Sequence, residues 1–151
     1  MAKSIVVESC SKSFGSFNAL DNVNMVLEEG QKYVIQGPSG SGKSTLLYLL
    51  GGLDRPSSGS IFVFGEKINT MSDVDLARYR NEMIGFIFQF HFLLPTLTCL
   101  DNILLPSEIS GSRDTSEIKR STYELAELLG IANILNKYPT QLSGGEQQRV
   151  N

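Results

Sequence analysis

Residues 37–44 read Gly-Pro-Ser-Gly-Ser-Gly-Lys-Ser, and this octet restricts what the chain can fold into more than any other stretch. Its glycines, lysine and hydroxyl stand at the spacing G-x-x-x-x-G-K-[ST], which builds a loop between a strand and a helix. Gly37, Gly40 and Gly42 permit left-handed backbone and let the chain approach a ligand with no Cβ in the way. The consecutive N–H groups of such a loop point inward as an anion nest, completed by the positive end of the helix that follows. Lys43 adds a mobile positive charge, and the Ser44 hydroxyl suits a Mg²⁺ ion bridging phosphates. The flanks agree with this reading. Tyr33-Val34-Ile35 has the look of a short buried strand, and Leu46, Leu47, Leu49 and Leu50 recur at helical spacing until Gly51-Gly52 stops them. The expectation is a loop that holds the phosphates of ATP on Gly37, Pro38, Ser39, Gly40, Ser41, Gly42, Lys43, Ser44 and Thr45.

The rest of the chain supplies the layers around that loop. Ile5-Val6-Val7 is β-branched, and Val23, Met25 and Leu27 alternate with Asn22, Asn24 and Glu28, so both read as strands. Ile61-Phe62-Val63-Phe64 and Ile84-Gly85-Phe86-Ile87-Phe88 are further strand candidates. Ser72 with Asp75 resembles a capping box opening a helix through about Asn81. Asp114 with Glu117 opens another, with Ile118, Leu125, Leu128 and Leu129 on one face and Gly130 as its stop. A short helical piece through Leu135 runs into Pro139, and a last helix begins after Ser143. With 151 residues and 41% hydrophobic content, there is enough for one cored α/β domain. A net charge of −3, with lysines and arginines scattered, argues against a nucleic-acid partner. No apolar stretch approaches the ~20 residues that span a bilayer, and the N-terminus lacks a signal-peptide core, so the expected location is cytoplasmic. Cys10 and Cys99 stand far apart with no metal-ligand spacing, and read as free, buried thiols.

A second motif narrows the class. Leu142-Ser143-Gly144-Gly145-Glu146, followed by Gln147-Gln148-Arg149, resembles the signature segment of ABC ATPases, with Glu146 where the family more often has Gln. Its two glycines expose backbone N–H groups at a helix start and Ser143 adds a hydroxyl, which makes chemical sense of a second phosphate site. The resemblance covers about residues 3–150 and implies a P-loop fold of ABC-ATPase type. That fold has a mixed sheet with an N-terminal antiparallel part and an inserted helical subdomain. It implies a core with the P-loop at about 1–88, and a Q-loop and helical subdomain with the signature segment at about 89–151. Gln89, at the end of Ile84–Phe88 and before Leu93-Leu94-Pro95-Thr96-Leu97-Thr98, looks like the family's Q-loop glutamine, which with Ser44 serves Mg²⁺. Phe14 stands in the place of the aromatic that stacks on adenine, where the family usually has Tyr; a core position is the other reading of Phe14. Ser143, Gly144 and Gly145 are expected to act in trans, on ATP held by a second copy. His91 is not the family's switch histidine, and a surface or interface role is expected for it. Gly52-Leu53-Asp54-Arg55-Pro56 and Leu94–Thr98 look most like the branch of lipoprotein-releasing, macrolide-export and antimicrobial-peptide-export ATPases.

What this implies is an ATP-binding subunit that powers an ABC exporter through a membrane permease, peripheral to the cytoplasmic face, with a second ATPase subunit as its partner. The family continues beyond a sequence of this length with the Walker B strand, the catalytic Glu and the switch His. No catalytic residue is therefore assigned within this chain, and the expectation is an incomplete fold without useful turnover of its own. Two other readings stand beside the exporter: an ATP-binding fragment without hydrolysis, and a soluble ABC protein of translation or DNA repair.

Overall fold

The long N-terminal hairpin comes from alternation: in Lys3–Phe14 (β1) and Phe17–Glu28 (β2) one set of side chains faces a core and the other faces out. The two strands pair antiparallel from Lys3↔Glu28 to Phe14↔Phe17, with the turn made by Gly15 at φ 60. Both strands run well beyond the short hydrophobic stretches that announce them. Ser9 and Asn22, at φ 46 and 47, are bulges where the register slips. Side chains from the opposite strand satisfy them: Ser9 donates its N–H to Asn24 Oδ1 at 2.8 Å, and Asn22 donates to Ser11 Oγ at 2.9 Å.

In this computed structural model, which describes residues 3–111 and 115–151, the chain divides into two units, Met1–Ile84 and Gly85–Asn151. The first carries a four-stranded sheet in the order β2-β1-β3-β4, where β3 is Ser58–Val63 and β4 is Glu66–Lys67. Phe64 and Gly65, both at positive φ, form the two-residue turn between β3 and β4. Against this sheet pack α1, Lys43–Leu50, and α2, Asp73–Met83. Leu46, Leu49 and Leu50 of α1 meet Val7, Cys10, Leu20, Ile61, Val63 and Leu76 in one buried cluster. Tyr79 completes it, donating its hydroxyl to Leu50 O at 2.7 Å, and burial raises its pKa to about 12.

The second unit is helical. Its elements are α3, Cys99–Ile109, α4, Thr115–Leu128, and α5, Gly144–Val150. Cys99, Ala126, Ile131, Ile134, Leu135, Leu142 and Val150 form its core.

Four expectations need correction. Tyr33-Val34-Ile35 and Ile84–Phe88 are not strands: neither makes a ladder among the described residues, and Val34 and Ile87 are 80% and 81% exposed. A strand is defined by its neighbours, and among the described residues neither segment has one. The antiparallel part of the expected mixed sheet is therefore the part that forms. Among the described residues of α4 the buried positions are Thr122 and Ala126, whereas Leu125 and Leu128, and Leu129 just beyond the helix, lie open; Leu128 stands roughly a third of a turn from the middle of the Ile118–Thr122–Ala126 row. Its expected cap, Asp114, lies outside the described residues. Finally, α3 was not foreseen. Thr98 and Asp101 close a full capping box on it: Asp101 N donates to Thr98 Oγ1 at 3.1 Å and Thr98 N donates to Asp101 Oδ2 at 3.3 Å. Pro106 within its span hides the helix from propensity alone.

Candidate nucleotide site

Two of the three glycines of residues 37–44 take the left-handed backbone expected of them, and Gly37 does not: its constraint is space, since a Cβ there would lie 2.6 Å from Ser41 Oγ. Gly40 and Gly42 adopt φ 81 and 86. A Cβ on Gly42 would lie 2.4 Å from Ala19 O and 2.9 Å from Leu20 Cδ2, so the loop rests directly on the start of β2 and only glycine fits there. Helix α1 begins at Lys43 with neither a side-chain cap nor an acidic residue in its first turn. By contrast, α2, α3 and α5 are capped by Ser72, Thr98 and Ser143, and each carries an acidic residue near its start. The first ladder bond of α1 is Leu46 N to Gly42 O at 2.9 Å, so the N–H groups of Lys43, Ser44 and Thr45 have no intrahelical acceptor. Uncapped donors at the positive end of a helix dipole call for an anion. Lys43 folds over the same loop and donates to Gly37 O at 3.0 Å and Pro38 O at 2.7 Å, while Ser41 Oγ lies 3.4 Å away. The Ser44 side chain is exposed beside it. These groups fit a magnesium–triphosphate: a fixed nest, a movable cation and a free hydroxyl.

Phe14 sits at the tip of the β1–β2 hairpin and is 53% exposed, which removes the core reading. It belongs to the neighbourhood of the phosphate loop through the strand register. Gly42 rests on Ala19 and Leu20, Leu20 pairs with Lys12, and Phe14 lies two residues along β1 from Lys12, about 7 Å at the rise of a strand.

The remaining candidates belong to the second unit. Gln89 is exposed in a bend after Phe88. The Phe88 carbonyl accepts from Gln148 Nε2 at 3.1 Å and from Asn151 Nδ2 at 3.4 Å, which ties the backbone beside Gln89 to α5. Phe88 stacks on Phe86 and meets Phe92 edge-on, with ring centroids 5.2 and 5.1 Å apart. Phe90 and Phe92 are largely exposed, and His91 is half-buried with an Nδ1 that finds no partner among the described residues. Ser143 caps α5 in a reciprocal box with Glu146: Ser143 Oγ donates to Glu146 Oε2 at 2.6 Å, and Ser143 N donates to the same oxygen at 2.8 Å. Those two bonds hold the Glu146 carboxyl below its ordinary pKa. Gly144 and Gly145 follow with open space around their α-carbons, the nearest side-chain atom being Arg149 Nη1 at 3.9 Å from a Cβ placed on Gly145. Cys10 and Cys99 are free and buried, as expected, and burial pushes both thiols up.

Sequence reading passed over Lys12. It bonds Asp54 Oδ1 at 2.6 Å and Arg55 O at 2.8 Å, with its ammonium 5.0 Å from the centre of the Phe14 ring. The signal was the i, i+2 spacing of a cation and an aromatic on one strand face.

Comparison with known proteins shows the family. The family model described as ABC transporter matches residues 20–151. The lipoprotein-releasing system ATP-binding protein LolD 1 of Chlorobium chlorochromatii is 46% identical over 131 residues, which cover 87% of this chain and 53% of that protein. The LolD protein of Geobacter metallireducens is 42% identical over 154 residues, covering 99% of this chain and 68% of its own length. Among solved structures, the dimeric ATP-binding cassette MJ0796, bound to ADP and Pi, superimposes with a TM-score of 0.87 at 37% identity, over 97% of this chain and 66% of that one. The chain thus spans between about half and two thirds of the length of these relatives. No helix among the described residues is long and apolar enough to cross a membrane. The family match over residues 20–151 and the shared fold agree, and the chain belongs to the ABC transporter family, among its ATP-binding cassettes.

Proposed function

We propose that the chain binds Mg-ATP on Gly37–Thr45 as part of an ATPase subunit that drives an ABC exporter. The observation that carries the reading is the uncapped N-terminus of α1, whose free donors face a loop with left-handed glycines and a lysine folded over it. In this reading Ser44 would hold Mg²⁺, and Gln89 is the second candidate for that role. Bound Mg²⁺ neutralises phosphate charge, while Lys43 and the backbone donors orient the triphosphate. Phe14 offers a flat apolar face to the base, a role supported by its exposure. Such a platform makes few base-specific hydrogen bonds. Titration calorimetry is therefore expected to give similar affinities for Mg-ATP and Mg-GTP, both weakened by Phe14→Ala. Absence of saturable binding for both nucleotides would overturn the phosphate-site assignment. Unchanged affinities in Phe14→Ala would remove Phe14 from the site.

The partners in this reading are a membrane permease and a second copy of the subunit. MJ0796 is a dimer, and two phosphate-binding segments for a single γ-phosphate fit an isologous head-to-tail pair. Ser143, Gly144 and Gly145 would then close over ATP on the second copy. In a chain carried to the relatives' full length and made hydrolysis-deficient, sedimentation is expected to show a dimer with Mg-ATP and a monomer without it. Ser143→Arg should abolish the dimer. A dimer indifferent to both would rule out the trans contact.

A further inference from the structure

The hairpin tip carries a second charged group beside the phosphate loop that phosphate chemistry does not use. Lys12 and Phe14 lie two residues apart on β1, so their side chains leave the same face of the sheet. The Lys12 ammonium is 5.0 Å from the Phe14 ring centroid, inside the ~6 Å within which a cation is held by an aromatic face. Its position is fixed by Asp54 Oδ1 at 2.6 Å and Arg55 O at 2.8 Å, and its side chain is only 12% exposed. Asp54 is fixed in turn, because the same carboxylate oxygen accepts the Arg55 N–H at 2.7 Å. Two further bonds tie the β1 backbone to this loop: Ser57 N to Ser11 O at 2.8 Å, and Ser13 N to Ser57 Oγ at 3.0 Å. Residues 54–57 follow the C-terminal end of α1, whose N-terminal end is the phosphate loop.

We propose that Lys12 is a positioning residue for the nucleotide base: anchored by Asp54 and Arg55, it occupies one face of Phe14 and sets the ring so that a purine stacks on the other. Three consequences follow from the geometry. The cation closes one face, so a base has a single face to use. It also draws electron density from the ring, which reduces the repulsion between two π-clouds on the open side. And it holds an otherwise exposed ring in one orientation, so less side-chain freedom is lost on binding. Lys12 thereby links the base platform at the hairpin tip to the loop behind α1, and so base position to phosphate position. The inference rests on Phe14 being the base platform, and the test separates the two.

The experiment is calorimetry of the whole chain with two probes, Mg-ATP and magnesium tripolyphosphate, the second having phosphates and no base. Lys12→Met keeps the apolar stem and removes the charge. It is expected to weaken ATP binding about three- to fivefold, the cost of ordering one ring that the cation no longer holds in place, and to leave tripolyphosphate affinity unchanged. In a Phe14→Ala background the same substitution should have no effect on ATP, and Lys12→Arg should restore most of the affinity. Asp54→Asn, which loosens the anchor, should give a smaller loss for ATP alone and serves if Lys12→Met fails to fold. Equal losses for ATP and tripolyphosphate would make Lys12 a structural clamp and overturn the proposal. So would an unchanged ATP affinity in Lys12→Met while Phe14→Ala still weakens binding. If Phe14→Ala itself changes nothing, the platform reading has failed, and the proposal falls with it.

Discussion

Lys43→Ala is expected to lose ten- to a hundredfold in Mg-ATP affinity. The ammonium now rests on Gly37 O and Pro38 O, at 3.0 and 2.7 Å, directly above the loop that would hold the phosphates. Exchanging those neutral carbonyls for a polyanion gains charge-assisted hydrogen bonds of roughly 1.5–3 kcal/mol, and each 1.4 kcal/mol is tenfold in affinity. The loss should be the same with tripolyphosphate, because Lys43 serves phosphates and not the base. Its fold should survive, since the side chain is not part of the buried cluster. The check is titration of wild type and variant, with circular dichroism to confirm folding. Equal affinities would show that the loop holds phosphate through its backbone alone, or holds none.

The second large effect is on stability. Gly59→Ala should destabilise the first unit by about 2–5 kcal/mol. Gly59, the second residue of β3, stands at φ 85, where an L side chain is strained by roughly 1–2 kcal/mol. Its added Cβ would also lie 2.3 Å from Ser9 O and 2.6 Å from Glu8 O. Both atoms are backbone, held there by the bulge at Ser9, so relief requires the β1–β3 ladder to move, at a cost of about 1–3 kcal/mol. Gly65→Ala provides the control: its φ is 86, yet nothing lies within 4 Å of an added Cβ. Urea unfolding should give a clearly larger loss for Gly59→Ala than for Gly65→Ala. Equal losses would mean that backbone strain alone matters and that the sheet yields freely around the bulge.

The two glycines differ in a way that sequence does not display, and the same holds elsewhere in the chain. At residues 37–44 each residue type answers a local demand: left-handed backbone at Gly40 and Gly42, charge at Lys43, a hydroxyl at Ser44. The caps at Ser72 and Ser143 are equally local, since a side chain bonds an N–H three residues on. Where long-range pairing decides, local pattern misled. Tyr33–Ile35 is as β-branched as a strand should be, but its ladder depends on a neighbour that the described residues do not offer. For α3, Pro106 argued against a helix that the Thr98–Asp101 box and the packing of Cys99 and Leu104 impose.

By itself the sequence determined the glycine-rich turn at 37–44, the helix caps at Ser72 and Ser143 and, through resemblance, the family, because turns, caps and helix starts are settled within a few residues by backbone geometry and side-chain chemistry. Tertiary structure alone decided that Phe14 is open rather than buried, that Lys12 lies on its ring under the hold of Asp54, and that Gly42 and Gly59 face backbone while Gly65 faces space. Those facts depend on segments far apart in the chain meeting around a sheet, and such meetings are set by strand register and helix packing, which no local pattern encodes.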